Sequence, residues 1–325
     1  MKQNTKKKLK TILPLLLGAF LIWLSLSKFT TEELNEIQNS FYNANYWWIG
    51  CSLCLAFLSH LCRAYRWKFM LNPLGYQTKL KNNIMAVFVA YLVNLGIPRA
   101  GEFSRAAIIN QYEGIPFDKT FGTIVAERLA DMLVYFFLIA LAFFAQYDLI
   151  KNIIIAKIPH NPILIGFVVL VFPTGFYLLF ISIQKSKYPV FMKVRTFLLG
   201  LVEGVKTIYS MEKKWSYLFY TFSIWTLYVL MLYVVVFAFP ETSHLGLDAI
   251  LICFIMGTFS FATTSGGIGA YPFVIQQALL LYAIPETVGA SFGWIAWTSQ
   301  TILIIVFGGL SFLLLPILNN TSHQS

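Results

Sequence analysis

The chain has 325 residues, of which 58% are hydrophobic and 12% charged, and its mean hydropathy is +0.69. Soluble domains carry about a quarter charged residues, so this composition excludes an ordinary soluble protein. The net charge of +10 is interpreted as a membrane-topology signal and not as a nucleic-acid patch, because basic residues concentrate beside apolar segments. The apolar runs are continuous rather than alternating, which favours helices over a β-barrel. We predict an all-α integral membrane protein with a single polytopic domain over residues 1–325 and no soluble domain.

Six apolar segments are long enough to cross a bilayer, since a span needs about 20 residues. They cover residues 11–28, 45–62, 121–145, 162–183, 215–239 and 286–316. The lysine-rich first ten residues could also open a signal peptide. We expect an uncleaved first helix instead, because many further spans follow it.

Four shorter apolar segments form two neighbouring pairs. The first pair, 83–97 and 99–110, breaks at Gly96-Ile97-Pro98, and the second, 248–264 and 270–284, breaks at the glycine-rich segment 265–269. Proline suits the first turn of a new helix. Pro98 is therefore expected to open a helix from Arg99, and Pro272 the helix that follows the glycines.

The distribution of basic residues and the segment lengths together indicate that both pairs are re-entrant hairpins. Segments 1–10, 63–83 and 184–214 are strongly basic, and they share the cytoplasmic side only if 83–110 returns to the side from which it enters. Two full short spans would give the same sidedness, but 99–110 covers only about 18 Å of helix, which favours a hairpin. The second hairpin, 248–284, then enters from outside, and both termini are cytoplasmic. The prediction is six full spans plus two hairpins, or eight transmembrane elements if hairpins are counted as spans. The halves 11–145 and 162–316 would form an inverted-topology repeat, which transporters use to build a midplane site.

Ionisable residues at membrane depth are costly and are usually paired or functional. Two triplets of them occur here, on the first hairpin and on the following span: Arg99, Glu102 and Arg105, then Glu127, Arg128 and Asp131. The first triplet has the i, i+3, i+6 spacing of one helix face. Two interpretations stay open: an ion-pair lock that pins the hairpin to the span, and a substrate or proton pathway.

The second hairpin carries a charge-free polar turn with Ser265, Gly266, Gly267 and Gly269. Glycines let a backbone approach a ligand closely, and the N–H groups of a following helix attract anions. Two helix N-termini together with Arg99 would suit a phosphate headgroup. The alternative is a turn that only lets the chain reverse.

Other polar residues are expected to have structural roles. Arg63, Arg66, Trp67 and Lys68 are interpreted as a plain interface anchor, with contact to anionic lipid as the alternative. The four cysteines and four histidines lack metal-ligand spacing, so no metal and no cofactor is expected. There is no P-loop, and ATP hydrolysis would have to come from a partner.

The sequence contains the motifs RAYRW at 63–67, PRAGEFSRA at 98–106, ERLAD at 127–131 and SGGIG at 265–269. At these four motifs it resembles the membrane domain of lysylphosphatidylglycerol synthases/flippases. The resemblance covers about residues 10–316 and implies lipid translocation, carried onto Arg99, Glu102, Arg105, Glu127, Arg128, Asp131, Gly266, Gly267 and Gly269. Two departures stand out. Family members often have prolines before the glycines and a carboxylate after them, and the bifunctional members add a soluble aminoacyl-transferring domain. The prolines and the carboxylate are missing at these positions, so no coupling role is assigned to that carboxylate. The soluble domain is also missing, so this chain is not expected to synthesise lysyl-lipid.

The favoured function is translocation of a lipid with an anionic, phosphate-bearing headgroup across a bacterial cytoplasmic membrane. The expected partners are membrane lipids, with no nucleic acid. A membrane-embedded enzyme acting on a phospholipid or polyisoprenyl-phosphate lipid is one alternative, and a metal between Glu102 and Glu127 would favour it. A non-transporting scaffold or regulator of envelope synthesis is another.

Overall fold

The computed structural model describes residues 18–148, apart from residue 26, and residues 208–319, together with positions 16, 151, 192, 195, 196 and 199. Within these ranges the chain is helical and contains no β-strand, which confirms the predicted all-α class. Its helices include α1 (Thr31–Asn43), α2 (Tyr46–Arg66), α3 (Lys68–Leu71), α4 (Leu80–Gly96), α5 (Gly101–Glu113), α6 (Phe117–Ala145), α7 (Lys214–Tyr233), α8 (Leu247–Thr263), α9 (Ala270–Leu280) and α10 (Glu286–Asn319). Short 3₁₀ turns follow α3 and α7.

Four helical segments in the described part are long and apolar enough to cross a membrane. They are Tyr46–Leu74, Phe117–Ala145, Lys214–Ala238 and Glu286–Asn319, and they coincide with four of the six predicted spans. Of the other two spans, 11–28 is described only in part and 162–183 lies outside the described residues. The count of six spans therefore stays a prediction.

Helix α2 has the length of a full span and carries two tryptophans at its start. Its 21 residues extend over about 30 Å, the thickness of the hydrocarbon core. Trp47 at its start is 73% exposed, as expected of an interfacial aromatic residue. Trp48 instead packs on Phe237, with ring centroids 5.0 Å apart, and so helps to join α2 to the chain that follows α7.

Helices α4 and α5 form an antiparallel hairpin. At its open end the Glu113 carboxylate accepts hydrogen bonds from the Lys79 N–H (3.1 Å) and from Asn82 Nδ2 (2.5 Å). At its closed end Gly101 lies so close to the Ala90 carbonyl that a Cβ would overlap it. The first predicted hairpin therefore returns to the end at which it began.

Helices α8 and α9 form a second antiparallel hairpin. Phe261 near the end of α8 contacts Tyr271 near the start of α9, with ring centroids 5.2 Å apart. One turn earlier in α8, Gly257 faces Tyr271 and Ile275. The glycine-rich segment 264–269 makes the connection between the helices, at the break that the sequence predicted.

Helix α10 contacts both hairpins. Its last residue, Asn319, exchanges hydrogen bonds of 2.9 and 3.0 Å with Asn82 at the start of α4. Its first residue, Glu286, accepts a hydrogen bond of 3.0 Å from Gln276 Nε2 of α9. Because α10 has 34 residues and is about 50 Å long, the open ends of the hairpins lie far apart, at its two ends. The hairpins thus enter from opposite directions.

Helix α1 lies between the first two predicted spans, where no helix was predicted. The Thr30 N–H and hydroxyl donate to the Glu33 carboxylate, the Glu33 N–H donates back to the Thr30 hydroxyl, and together they form a capping box. These bonds hold the pKa of Glu33 below its ordinary value. Ile37 is buried, and its carbonyl accepts a hydrogen bond from Ser291 of α10 (3.4 Å). The cap and this packing explain the helix.

The chain divides into two compact units. The first consists of Met1–Glu127 with Trp215–Ser325, and the second of Arg128–Lys214. Both hairpins, together with α2 and α10, belong to the first unit. Of the second unit the structure describes the remainder of α6 and a few isolated helical positions.

Candidate functional site

A buried cluster of three arginines surrounds the Glu127 carboxylate in the first unit. Arg63 Nη1 donates to Glu127 Oε1 at 2.7 Å, and Arg66 Nη2 lies 3.0 Å from the same oxygen. Arg105 contacts both oxygens, at 3.2 and 3.1 Å. All four side chains are at most 3% exposed. Charge-assisted hydrogen bonds are stronger than those between neutral groups, so the cluster holds α2, α5 and α6 together.

Aromatic and hydroxyl groups complete the arginine cluster. The Arg105 guanidinium lies 3.7 Å from the centroid of the Trp67 ring, and Trp67 Nε1 donates to Thr123 Oγ1 at 2.9 Å. Arg66 Nη1 donates to Thr221 Oγ1 of α7, also at 2.9 Å. Stacking on an aromatic face suits the planar guanidinium. The cluster therefore connects α7 as well as α2, α5 and α6.

The interpretation of Arg63, Arg66 and Trp67 as an interface anchor was wrong. All three are buried, and two of them bind a carboxylate 61 to 64 positions further along the chain. A basic pair at the end of a span gives the same local pattern whether it reaches lipid headgroups or a buried acid. The signal that could have revealed them is the i, i+3 spacing of the two arginines, which places both on one helix face.

Arg99 lies apart from this cluster. It was expected to begin a helix and to share a face with Arg105, but α5 begins at Gly101, and Arg99 sits in the preceding turn with φ of 63°. The Gly101 N–H donates to Asn94 Oδ1 at 2.7 Å, which closes this turn. Because of this left-handed backbone, Arg99 lies outside the helix and is not on one helix face with Arg105. Its side chain is exposed at the tip of the first hairpin.

The remaining predicted charges are Glu102, Arg128 and Asp131. Glu102 is partly buried in the first turn of α5. Arg128 and Asp131 follow Glu127 on α6, where Asp131 is buried, and both belong to the second unit. Of the six predicted charges, Arg105 and Glu127 thus lie together in the arginine cluster. Arg99 lies at the tip of the first hairpin.

The tip of the second hairpin consists of tightly turned backbone. Gly266, Gly267 and Gly269 have φ of 58°, 73° and 67°, in the region that glycine adopts without strain. Ser265 is 1% exposed, and its hydroxyl has no hydrogen-bond partner within the described part of the chain. All four residues of the predicted glycine motif therefore lie in this turn.

The first N–H groups of α9 are satisfied inside the turn. Ala270 donates to the Ile268 carbonyl, Tyr271 to Gly267 and Phe273 to Gly269, while Pro272 has no N–H. The expectation that this helix aims open N–H groups at an anion was therefore wrong. Pro272 does occupy the first turn of α9, as predicted.

The tips of the two hairpins touch. A Cβ at Gly266 would lie 2.8 Å from Leu95 Cδ2 and 3.3 Å from Leu95 Cα, so only glycine permits this approach. The Gly266 carbonyl accepts a hydrogen bond from Trp297 Nε1 of α10 at 2.8 Å. On another side, Gly18 lies against the backbone of Ile268. The contact between the tips is therefore held from two neighbouring helices.

Among the described residues, no group of three His, Cys, Asp or Glu side chains could hold a metal ion. Both oxygens of Glu127 accept from guanidinium groups, an arrangement built for arginine and not for a cation shared with Glu102. The geometry gives no support to the metal-dependent alternative.

Comparisons with known proteins relate the chain to membrane proteins. A UPF0104 membrane protein of Methanocaldococcus jannaschii is 29% identical over 126 residues, which span 38% of this chain and only 37% of that relative. No solved structure matches the chain. The model of the family described as the lysylphosphatidylglycerol synthase TM region matches residues 11–309. The chain is thus a multi-pass membrane protein that belongs to the lysylphosphatidylglycerol synthase TM-region family.

Proposed function

We propose that this protein moves a lipid with an anionic, phosphate-bearing headgroup between the leaflets of a bacterial cytoplasmic membrane. The observation that carries the proposal is the meeting of two oppositely entering hairpins at Leu95 and Gly266, beside the exposed Arg99. Broken helices that meet inside the membrane are the means by which transporters create a polar site at midplane. The family description, which names a phospholipid synthase, supports a phospholipid as cargo.

Arg99 is proposed to bind the headgroup. A non-glycine residue at φ of 63° costs about 1–3 kcal/mol, and such strain gathers at functional sites. Glycine would remove that cost, so the presence of arginine here points to a use for its guanidinium. Arginine is suited to bidentate binding of phosphate.

The buried arginine cluster has a supporting role in this proposal. It fixes α5 against α2 and α6, and so it holds the first hairpin while Arg99 at its tip stays exposed. Acyl chains would remain in the surrounding lipid as the headgroup passes between the tips. The N- and C-termini are proposed to be cytoplasmic.

The test is lipid flipping by purified protein in phosphatidylcholine vesicles, with fluorescent phosphatidylglycerol as the anionic probe and fluorescent phosphatidylcholine as the neutral one. Wild type should flip the anionic probe faster. Arg99→Gly should lose this preference while its thermal stability is unchanged or higher, and Arg99→Lys should keep part of it. Lys119→Ala, an exposed cation on α6, is the matched control and should behave as wild type.

Two results would overturn the proposal. One is the absence of flipping by well-folded wild type with either probe, under any tested gradient. The other is equal preference for the anionic lipid in wild type and in Arg99→Gly, which would remove Arg99 from the site.

A further inference from the structure

A buried histidine lies between the hairpin tips and the arginine cluster. His60 of α2 is 5% exposed. Its ring contacts Phe88 and Tyr91 of α4, with centroids 5.2 and 4.5 Å away, and lies 6.4 Å from Tyr228 of α7. The Tyr91 and Tyr228 hydroxyls lie 3.0 Å apart and hydrogen-bond to each other. The imidazole thus occupies an aromatic enclosure made by three helices.

One ring nitrogen of His60, Nδ1, has no partner in this enclosure. This atom is buried, and it has no hydrogen-bond partner among the residues that the structure describes. Buried polar atoms are nearly always paired, because an unpaired one loses its bonds to water without replacement. Phenylalanine would fill an aromatic enclosure without that loss. A purely packing role therefore does not account for histidine here.

The position of His60 connects it to the hairpin tips and to the arginine cluster. Arg63 lies one helical turn along α2, and its guanidinium carbon is 5.9 Å from the centroid of the Tyr228 ring. Tyr91 lies one turn before Leu95, which contacts the second hairpin tip. A headgroup that moves from the tips toward the arginine cluster would therefore pass His60.

The groups facing His60 determine when it can hold a second proton. They are Tyr91 from α4, Tyr228 from α7 and Arg63 from its own helix, with Glu127 beyond Arg63. A protonated imidazole next to the Arg63 guanidinium is repelled by it, and burial adds to the cost. An anion placed beside both groups would offset that repulsion.

We infer that His60 takes up one proton when the anionic headgroup lies beside it, so that each lipid travels with one proton. The proton comes from water on the side where the lipid enters, binds to the lone pair of the imidazole, and returns to water when the headgroup leaves. No other bond forms or breaks. Binding of anion and proton would then be linked, each strengthening the other by the same factor.

The first test measures the proton directly and does not need transport. Histidine side chains labelled with ¹⁵N are titrated by NMR in bilayers of phosphatidylcholine, with and without phosphatidylglycerol, and the His60 signal is assigned by its loss in His60→Gln. Phosphatidylglycerol should raise the proton affinity of His60 at least tenfold more than that of His244, an exposed histidine that reports the local surface pH. Equal shifts, or no titration of His60 between pH 4 and 8 in either bilayer, would overturn the inference.

The second test uses flipping and therefore rests on the proposed function. The wild-type rate with fluorescent phosphatidylglycerol should rise by up to tenfold per unit as pH falls from 8 to 6, the limit for one linked proton. His60→Gln should give a flat profile, and His244→Gln should match wild type. A pH-dependent His60→Gln or a flat wild type would contradict proton coupling. Absence of flipping at every pH would contradict the proposed function instead, and the NMR result would then decide the inference alone.

Discussion

Glu127→Gln is expected to destabilise the protein by about 3–5 kcal/mol. The carboxylate receives contacts of 2.7–3.2 Å from Arg63, Arg66 and Arg105, and glutamine would present an NH₂ group to donors that need an acceptor. A single charge-assisted bond contributes about 1.5–3 kcal/mol, but contributions that share one carboxylate are not additive. Removing one partner of a buried ion pair costs about 3–5 kcal/mol, because buried charge is left behind. That figure sets the expected magnitude.

The assay is equilibrium unfolding in mixed micelles, followed by the far-UV helical signal. Asp118→Asn on the same helix is the matched control, since Asp118 is exposed and a surface change of this kind lies within about 0.5 kcal/mol of wild type. If Glu127→Gln proved as stable as Asp118→Asn, the buried cluster would not be holding the helices together.

Two further substitutions probe contacts between helices. Gly266→Ala should lower the free energy of unfolding by about 1–3 kcal/mol, because a φ of 58° is strained for alanine and the added Cβ would press on Leu95. Gly96→Ala is the control: it has open space around it and should be neutral in the same unfolding assay. Asn82→Leu should lower the free energy of unfolding by about 1–3 kcal/mol, because the buried Asn319 amide would lose the two hydrogen bonds that it exchanges with Asn82. A loss no larger than that of Gly96→Ala would show that this amide pair is unimportant for stability.

The hairpins could be predicted from the sequence because their causes are local. Pro98 and the glycines at 265–269 interrupt apolar runs that are too short to span, and loop charge then decides on which side each run returns. Both breaks occur within a few residues of the predicted positions. The predicted helix of the first hairpin began too early, however, because arginine gives no sign that it will adopt the left-handed conformation seen at Arg99.

The arginine cluster was only half predictable. Arg105 and Glu127 stood out as charges within apolar sequence, whereas Arg63 and Arg66 sit at the end of a span, where basic residues are common. Their burial depends on a carboxylate 61 to 64 positions away, which no local pattern encodes. Helix α1 was missed for a different reason: its capping box, Thr30 and Glu33, is present in the sequence, but the segment is too polar to draw attention as a helix.

The most direct measurement of the central claim is flipping by a protein whose hairpin tips are cross-linked. A Cβ at residue 266 would lie 3.8 Å from Leu95 Cβ, inside the range of about 3.5–4.5 Å that a disulfide requires. The variant Leu95→Cys with Gly266→Cys, made in a background whose four native cysteines are replaced by alanine, should flip fluorescent phosphatidylglycerol when reduced, stop when oxidised, and recover on reduction. Unchanged flipping by the oxidised protein would contradict the claim that the headgroup passes between the tips.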